Sequence, residues 1–222
     1  MSLFEGRDLF CVRGERPVFA GLGFALAAGG ALVLAGPNGS GKSSLLRLMA
    51  GLLRPAAGAL LWDGQPVIRD PEAHRARLQY LGHLDAVKPV LSAAENLTFW
   101  AALRGHGESG TVTEALEAFA IARLADLPGR MLSAGQKRRL ALARLLVAPA
   151  EVWLLDEPTV GLDQESLGRL SGAIAAHRAR GGRVVAATHA PMDMDGAQVL
   201  ALDRFGPMAS SARAGFDLED RW

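Results

Sequence analysis

Hydrophobic residues change their spacing along this chain, and each spacing predicts a different element. In the opening segment Val18, Leu22, Phe24 and Leu26 all take even positions, the period of a half-buried strand. Residues 1–28 therefore read as short strands punctuated by Gly and Pro. Gly29-Gly30 breaks the run, and the continuous apolar stretch 31–35 predicts a second, fully buried strand. Across 42–51, Leu45, Leu46, Leu48 and Met49 follow helical spacing. Leu60-Leu61-Trp62, Asp63-Gly64 and Pro66-Val67-Ile68 read as a hairpin closed by a tight turn.

From 72 to 129 the chain becomes Ala-rich with helical periodicity, its Pro and Gly falling mostly at the joints. Roughly 85–135 is predicted to be a helical lobe inserted into an α/β core made of 1–84 and 136–222. Between 136 and 203 helices, the first over 137–147, alternate with apolar strands at 152–155, 184–187 and 199–202. Such alternation argues for an α/β fold with a mainly parallel sheet covered on both faces.

Composition narrows the classes. With 222 residues, 50% hydrophobic and 21% charged, the chain is globular and long enough for a real core. A net charge of +1 gives no case for nucleic acid or an anionic membrane face. Residues 17–41 carry no charge, a length that suggests a membrane span. The two-residue period and the Gly29-Gly30 break argue against one. The opening MSLFEGRDLF has neither the basic nor the apolar region of a signal peptide, so a cytosolic chain is expected, contacting membrane only through a partner. Cys11 is the sole cysteine, which excludes an internal disulfide and fits a reducing compartment. His74, His83, His106, His177 and His189 show no metal-ligand spacing, and the tail 204–222 is too short for a regulatory domain.

Four segments carry candidate chemistry. Gly36-Pro37-Asn38-Gly39-Ser40-Gly41-Lys42-Ser43, followed by Ser44, leaves a buried strand and enters a helix. Glycines there let backbone N–H groups converge on phosphates, and the helix N-terminus adds partial positive charge. Lys42 is expected to reach the β- and γ-phosphates and the Ser43 hydroxyl to ligate Mg²⁺. The apolar run 152–155 ends in Asp156, suited to Mg²⁺, and Glu157, placed to polarise an attacking water. Thr188-His189 follows a neighbouring strand and is expected in the same crevice. Leu132-Ser133-Ala134-Gly135-Gln136 precedes a helix that Ser133 can cap, making a second anion site. Two such sites so far apart in one chain suggest a pocket completed by another chain. Lys137-Arg138-Arg139 reads as a solvated face.

The loop at 36–43, LSAGQ at 132–136, LLDEP at 154–158, Gly161-Leu162-Asp163 and His189 together resemble the nucleotide-binding subunits of ABC transporters over nearly the whole chain. The resemblance implies a P-loop ABC ATPase core with a mainly parallel sheet, an N-terminal antiparallel β subdomain and the inserted helical lobe. It implies ATP and Mg²⁺ as ligands and a head-to-tail homodimer. Each ATP would lie between the Lys42 loop of one subunit and Ser133, Gly135 and Gln136 of the other, with Asp163 at the seam and His189 sensing the γ-phosphate. Two positions depart from the pattern: Arg13 stands where an aromatic residue stacks on adenine, and His83 where a Gln is usual. Tyr80-Leu-Gly-His83, the run 91–97 and the run 132–144 are similar to the CcmA branch, the ATP-binding subunits of the cytochrome c maturation system, called a haem exporter. That likeness implies ATP hydrolysis coupled to transport, integral-membrane partners of the CcmB/CcmC type and a place on the inner face of the bacterial plasma membrane. Another small exporter for lipoproteins or drugs, or a soluble non-transport ABC ATPase, are the alternatives. Leu84, Val87, Val90, Leu91, Phe99 and Trp100 are read either as a docking patch or as core of the helical lobe.

Overall fold

A computed structural model of the chain describes residues 2–105, 109–189, 192 and 194–206. His106 and the tail from 207 onward lie outside the described residues. The strands are β1 (Leu3–Arg13), β2 (Arg16–Ala27), β3 (Ala31–Ala35), β4 (Ala57–Trp62), β5 (Gln65–Pro66), β6 (Leu78–Leu81), β7 (Val152–Asp156), β8 (Arg183–Ala187) and β9 (Gln198–Ala201). The helices are α1 (Lys42–Met49), α2 (Pro71–Ala76), α3 (Ala93–Ala102), α4 (Ser109–Ala118), α5 (Ala134–Ala143) and α6 (Gln164–Ala179).

Two sheets result. One is antiparallel, in the order β2-β1-β4-β5; the other is parallel, in the order β6-β7-β8-β3-β9. The opening segment is not a set of short strands but one long bulged hairpin, because register shifts after Gly6 and Leu9 interrupt the visible period. Gly58 lets β4 approach that hairpin: its φ is +80°, and a Cβ there would lie 2.3 Å from the Asp8 carbonyl oxygen. The tight turn at Asp63-Gly64 is present, but its return strand is only Gln65–Pro66, and Val67–Arg69 coils into a 3₁₀ turn.

The parallel sheet divides the core. Val152 and Leu154 point toward the antiparallel sheet and α1, whereas Trp153 and Leu155 point toward α3, α4, α5 and α6. The 72–129 segment is not helical throughout, since β6 lies inside it as an edge strand paired with β7. The helix expected over 137–147 starts earlier, at Ala134, and tightens into a 3₁₀ turn at Arg144–Leu146. Arg183, 2% exposed, joins the layers: its guanidinium donates to the carbonyls of Leu26 and Ser2 and pairs with Glu151 at 3.7 Å. Among the described residues no helix is long and apolar enough to cross a membrane.

Candidate functional site

Parallel pairing brings three loops to one edge. Leu34 and Asp156 both align with Ala187, so β3, β7 and β8 end together. The segments starting at Gly36, Glu157 and Thr188 leave from that edge, where ligands bind in open α/β sheets.

The 36–43 loop is built on left-handed glycines. Gly36, Gly39 and Gly41 have φ of 144°, 82° and 99°. A Cβ on Gly36 would lie 2.6 Å from Ser40 Oγ, and one on Gly41 2.6 Å from Val18 Cγ1, so both positions demand glycine. Gly41 is the N-cap of α1, with no side-chain cap bond and no acidic residue in the first turn. The helix's partial positive charge is therefore left for an anion. Pro37, Asn38 and Gly39 are exposed at the rim and Ser44 is half-buried on the first turn. Ser40 Oγ is buried without a hydrogen-bond partner. Lys42 folds back into the loop, its Nζ donating to the carbonyls of Gly36 at 2.7 Å and Pro37 at 3.1 Å.

Ser43 Oγ donates to Asp156 Oδ1 at 3.1 Å, although the two are 113 positions apart in sequence. This pair of hard oxygen donors fits Mg²⁺, which takes few protein ligands and shares its shell with water and substrate phosphates. Among the described residues no cluster of three or more His, Cys, Asp or Glu could hold a metal alone.

Glu157 and His189 face each other. The His189 amide donates to Glu157 Oε2 at 3.3 Å, and His189 Nε2 lies 3.5 Å from Oε1. Glu157 has a left-handed backbone, φ 49°, which a non-glycine residue adopts at a cost of about 1–2 kcal/mol. Its amide donates to the Ala187 carbonyl at 2.8 Å. Beneath the pair, the hydroxyls of Thr159 and Thr188 lie 3.3 Å apart.

Ser133 and Gln136 cap α5 reciprocally: the Gln136 amide donates to Ser133 Oγ at 3.3 Å and the Ser133 amide to Gln136 Oε1 at 2.8 Å. Leu132 is buried as an anchor, whereas Ser133 and Ala134 are exposed. Gly135 lies beside the Gly161 carbonyl, which a Cβ would approach at 3.6 Å. The cap's two hydrogen bonds stay within the helix start, between Ser133 and Gln136. Asp163, exposed, caps α6 by accepting from the Ser166 amide at 2.8 Å. Hydrogen bonds from the Ser166 hydroxyl and amide hold its carboxyl below the usual range. Arg13 is exposed opposite Arg16 at the turn of the β1–β2 hairpin, and His83 is exposed just beyond β6.

The expectation of a solvated Lys-Arg-Arg face fails at Arg138, which is 6% exposed. Its Nη1 pairs with Asp85 Oδ1 at 2.9 Å, and its Nη2 donates to the Glu157 carbonyl at 2.5 Å. The helical period contains the signal, because Arg138 sits four residues before the fully buried Leu142. The apolar run in the lobe divides: Leu84 and Val90 are 80% and 73% exposed, while Val87, Leu91, Phe99 and Trp100 are half-buried.

Known proteins resemble this chain in sequence and fold. Residues 19–160 match the ABC transporter family. The cytochrome c biogenesis ATP-binding export protein CcmA of Rhodospirillum rubrum is 64% identical over 219 residues, covering 99% of this chain and 93% of the relative. That of Rhodopseudomonas palustris is 54% identical over 192 residues, covering 85% and 92%. Among solved structures, a putative ABC transporter ATP-binding protein from Pyrococcus furiosus superposes with a TM-score of 0.80 at 25% identity, covering 92% of this chain and 99% of that one. A bacterial Atm1-family ABC exporter with ATP bound superposes with a TM-score of 0.79 at 26% identity, covering 90% and 37%.

Proposed function

The chain belongs to the ABC transporter family, among its CcmA-type ATP-binding export proteins, and from that premise we propose that it hydrolyses ATP for the haem-export complex of cytochrome c maturation. It forms one ABC ATPase domain, with 85–135 as the helical lobe between core segments 1–84 and 136–222. It sits on the cytosolic face of the bacterial plasma membrane, held by integral partners of the CcmB/CcmC type. Two copies close head to tail around two ATP molecules. The exposed apolar residues Leu84 and Val90 support docking to the membrane partner at the core–lobe groove.

The observation that carries this reading is the facing pair Glu157 and His189 at the strand edge shared by the Lys42 loop and the Ser43–Asp156 pair. The loop amides and Lys42 bind the phosphates, with Nζ leaving its carbonyl partners for the β- and γ-oxygens. Mg²⁺, held by Ser43 and Asp156, would supply charge neutralisation on those oxygens. Glu157 aligns the attacking water and draws its proton, an effect of about 10²–10⁴-fold in rate. His189 keeps the Glu157 carboxylate turned toward the nucleotide and contacts the γ-phosphate. Ser133, Gly135 and Gln136 of the opposite subunit complete the pocket with the start of α5, and Asp163 lies at the seam. Arg13 offers a guanidinium plane to the base and His83 a ring to the metal or the water.

Glu157→Gln tests the site. Expected is full ATP binding, no phosphate release and an ATP-trapped dimer by light scattering; sustained turnover removes Glu157 from this role. Purification of the chain from its cell membranes tests the assignment to haem export. A short multi-span subunit of the CcmB type should accompany it, and recovery with a lipoprotein or drug exporter instead refutes that assignment.

A further inference from the structure

We propose that Arg138 is a positioning residue for ATP hydrolysis: it fixes the backbone of Glu157 and ties it to the segment carrying His83 and Asp85 and to the LSAGQ helix. The inference rests on the reading of Glu157 as the residue that aligns water.

Arg138 projects from the first turns of α5 and is buried, with its Nε lacking any hydrogen-bond partner. Taking a charge out of water costs several kcal/mol per ion, and apolar replacements of such pairs are often no less stable. Stability alone therefore gives a weak reason for a guanidinium at this point. Position gives a better one. Its Nη1 holds Asp85 at 2.9 Å, two residues beyond His83, while its Nη2 holds the carbonyls of Asp156 at 3.4 Å and Glu157 at 2.5 Å. Three segments distant in sequence meet at one planar, rigid donor group.

Glu157 is where such a constraint matters. Its left-handed backbone is held at both polar atoms, the amide by the Ala187 carbonyl and the carbonyl by Arg138 at 2.5 Å and, less closely, by the Val160 amide at 3.3 Å. Without the short charge-assisted bond, the Glu157 carbonyl keeps only the longer bond from the Val160 amide, and the peptide relaxes more readily toward negative φ, swinging the carboxylate away from His189. Arg138 lies two residues after Gln136 on the helix whose start receives a nucleotide held by the opposite subunit. A shift of that helix on closing thus reaches the catalytic carboxylate of its own subunit. A lysine has one compact head and can satisfy Asp85 or the carbonyl, not both in this geometry.

The test compares Arg138→Gln, Arg138→Lys, Asp85→Asn and Glu157→Gln in the full chain with its membrane partners, measuring steady-state ATP hydrolysis, nucleotide Kd and Tm. Arg138→Gln should lower kcat by about 10–100-fold with KM and Kd within about three-fold of wild type. Arg138→Lys should fall between, and Asp85→Asn should lower kcat by about 3–10-fold. The double variant Asp85→Asn/Arg138→Gln should be no slower than Arg138→Gln alone. Wild-type kcat in folded Arg138→Gln, beside an inactive Glu157→Gln, overturns the inference, as does a parallel loss of Kd and kcat. Should Arg138→Gln fail to fold, the half-exposed Asp85→Asn decides, and unchanged kcat there counts against the proposal. Turnover by Glu157→Gln is a separate outcome: it overturns the reading of Glu157 itself and this inference with it.

Discussion

Replacing Gly41 by Ala adds one methyl group at the point where the phosphate loop meets its helix. The added Cβ would lie 2.6 Å from Val18 Cγ1 and 3.1 Å from Phe19 Cδ1. Phe19 is wholly buried on β2 and paired with the buried Cys11, so it has little room to give way. The backbone at φ 99° adds its own penalty, about 1–2 kcal/mol for an L residue in left-handed space. Overpacking adds about 1–3 kcal/mol, for a total of roughly 2–5 kcal/mol. Against an ordinary stability of about 5–15 kcal/mol, the variant still folds. The strain is relieved by moving the loop off the conformation in which its amides converge, and nucleotide binding must then restore that conformation. A 2 kcal/mol penalty on the binding-competent loop raises the ATP Kd about 30-fold, and larger penalties raise it further. Calorimetric titration with ATP and a thermal melt measure the two effects. Gly64→Ala is the control, because Gly64 has φ 76° at the hairpin turn but nothing within 4 Å of its added Cβ. It should lower Tm modestly and leave Kd unchanged. ATP binding by Gly41→Ala within about three-fold of wild type would refute the cradle argument.

His177, stacked on Trp153 at 4.0 Å, is held neutral by burial, which lowers its pKa to about 4. The unfolded chain takes up this proton first as pH falls, so the contribution is complete above about pH 6.5 and is lost on acidification toward 4. Urea midpoints at neutral and acidic pH should show the loss, and His177→Phe should flatten it; an unaltered slope assigns the effect elsewhere. Asp156→Asn should abolish the Mg²⁺ dependence of the ATP-induced rise in Tm, while a retained dependence would move the metal to other ligands. Leu84→Asp together with Val90→Asp should leave Tm and nucleotide Kd unchanged but lose co-purification with the membrane partner, and intact co-purification places the docking surface elsewhere.

Short-range rules were enough for much of this molecule. The Gly-rich loop between a buried strand and a helix, the carboxylates closing β7 and the Ser133–Gln136 cap are each built from residues only a few positions apart. Their conformations follow from local steric and hydrogen-bonding preferences that travel with the sequence. The alternation of apolar strands and helices after residue 136 likewise announced a covered parallel sheet. β6 leaves no mark in the sequence, because a four-residue strand in an Ala-rich helical stretch has no period of its own; pairing with β7 makes it a strand. The long opening hairpin looks like short strands in the sequence because its bulges shift the alternation between faces.

Only the tertiary structure decided what the charges do. Sequence alone assigned chemical types to Ser43, Asp156, Glu157 and His189, but the contacts among them depend on β3, β7 and β8 ending at one edge. Arg138 shows the same limit more sharply. Its basic run reads as solvated and its spacing to Leu142 gives only the face it takes; Asp85, 53 positions away, and the Glu157 carbonyl, 19 away, are what enclose it. Burial and ion pairing are properties of the neighbours that packing supplies, and those neighbours lie beyond the reach of any local pattern.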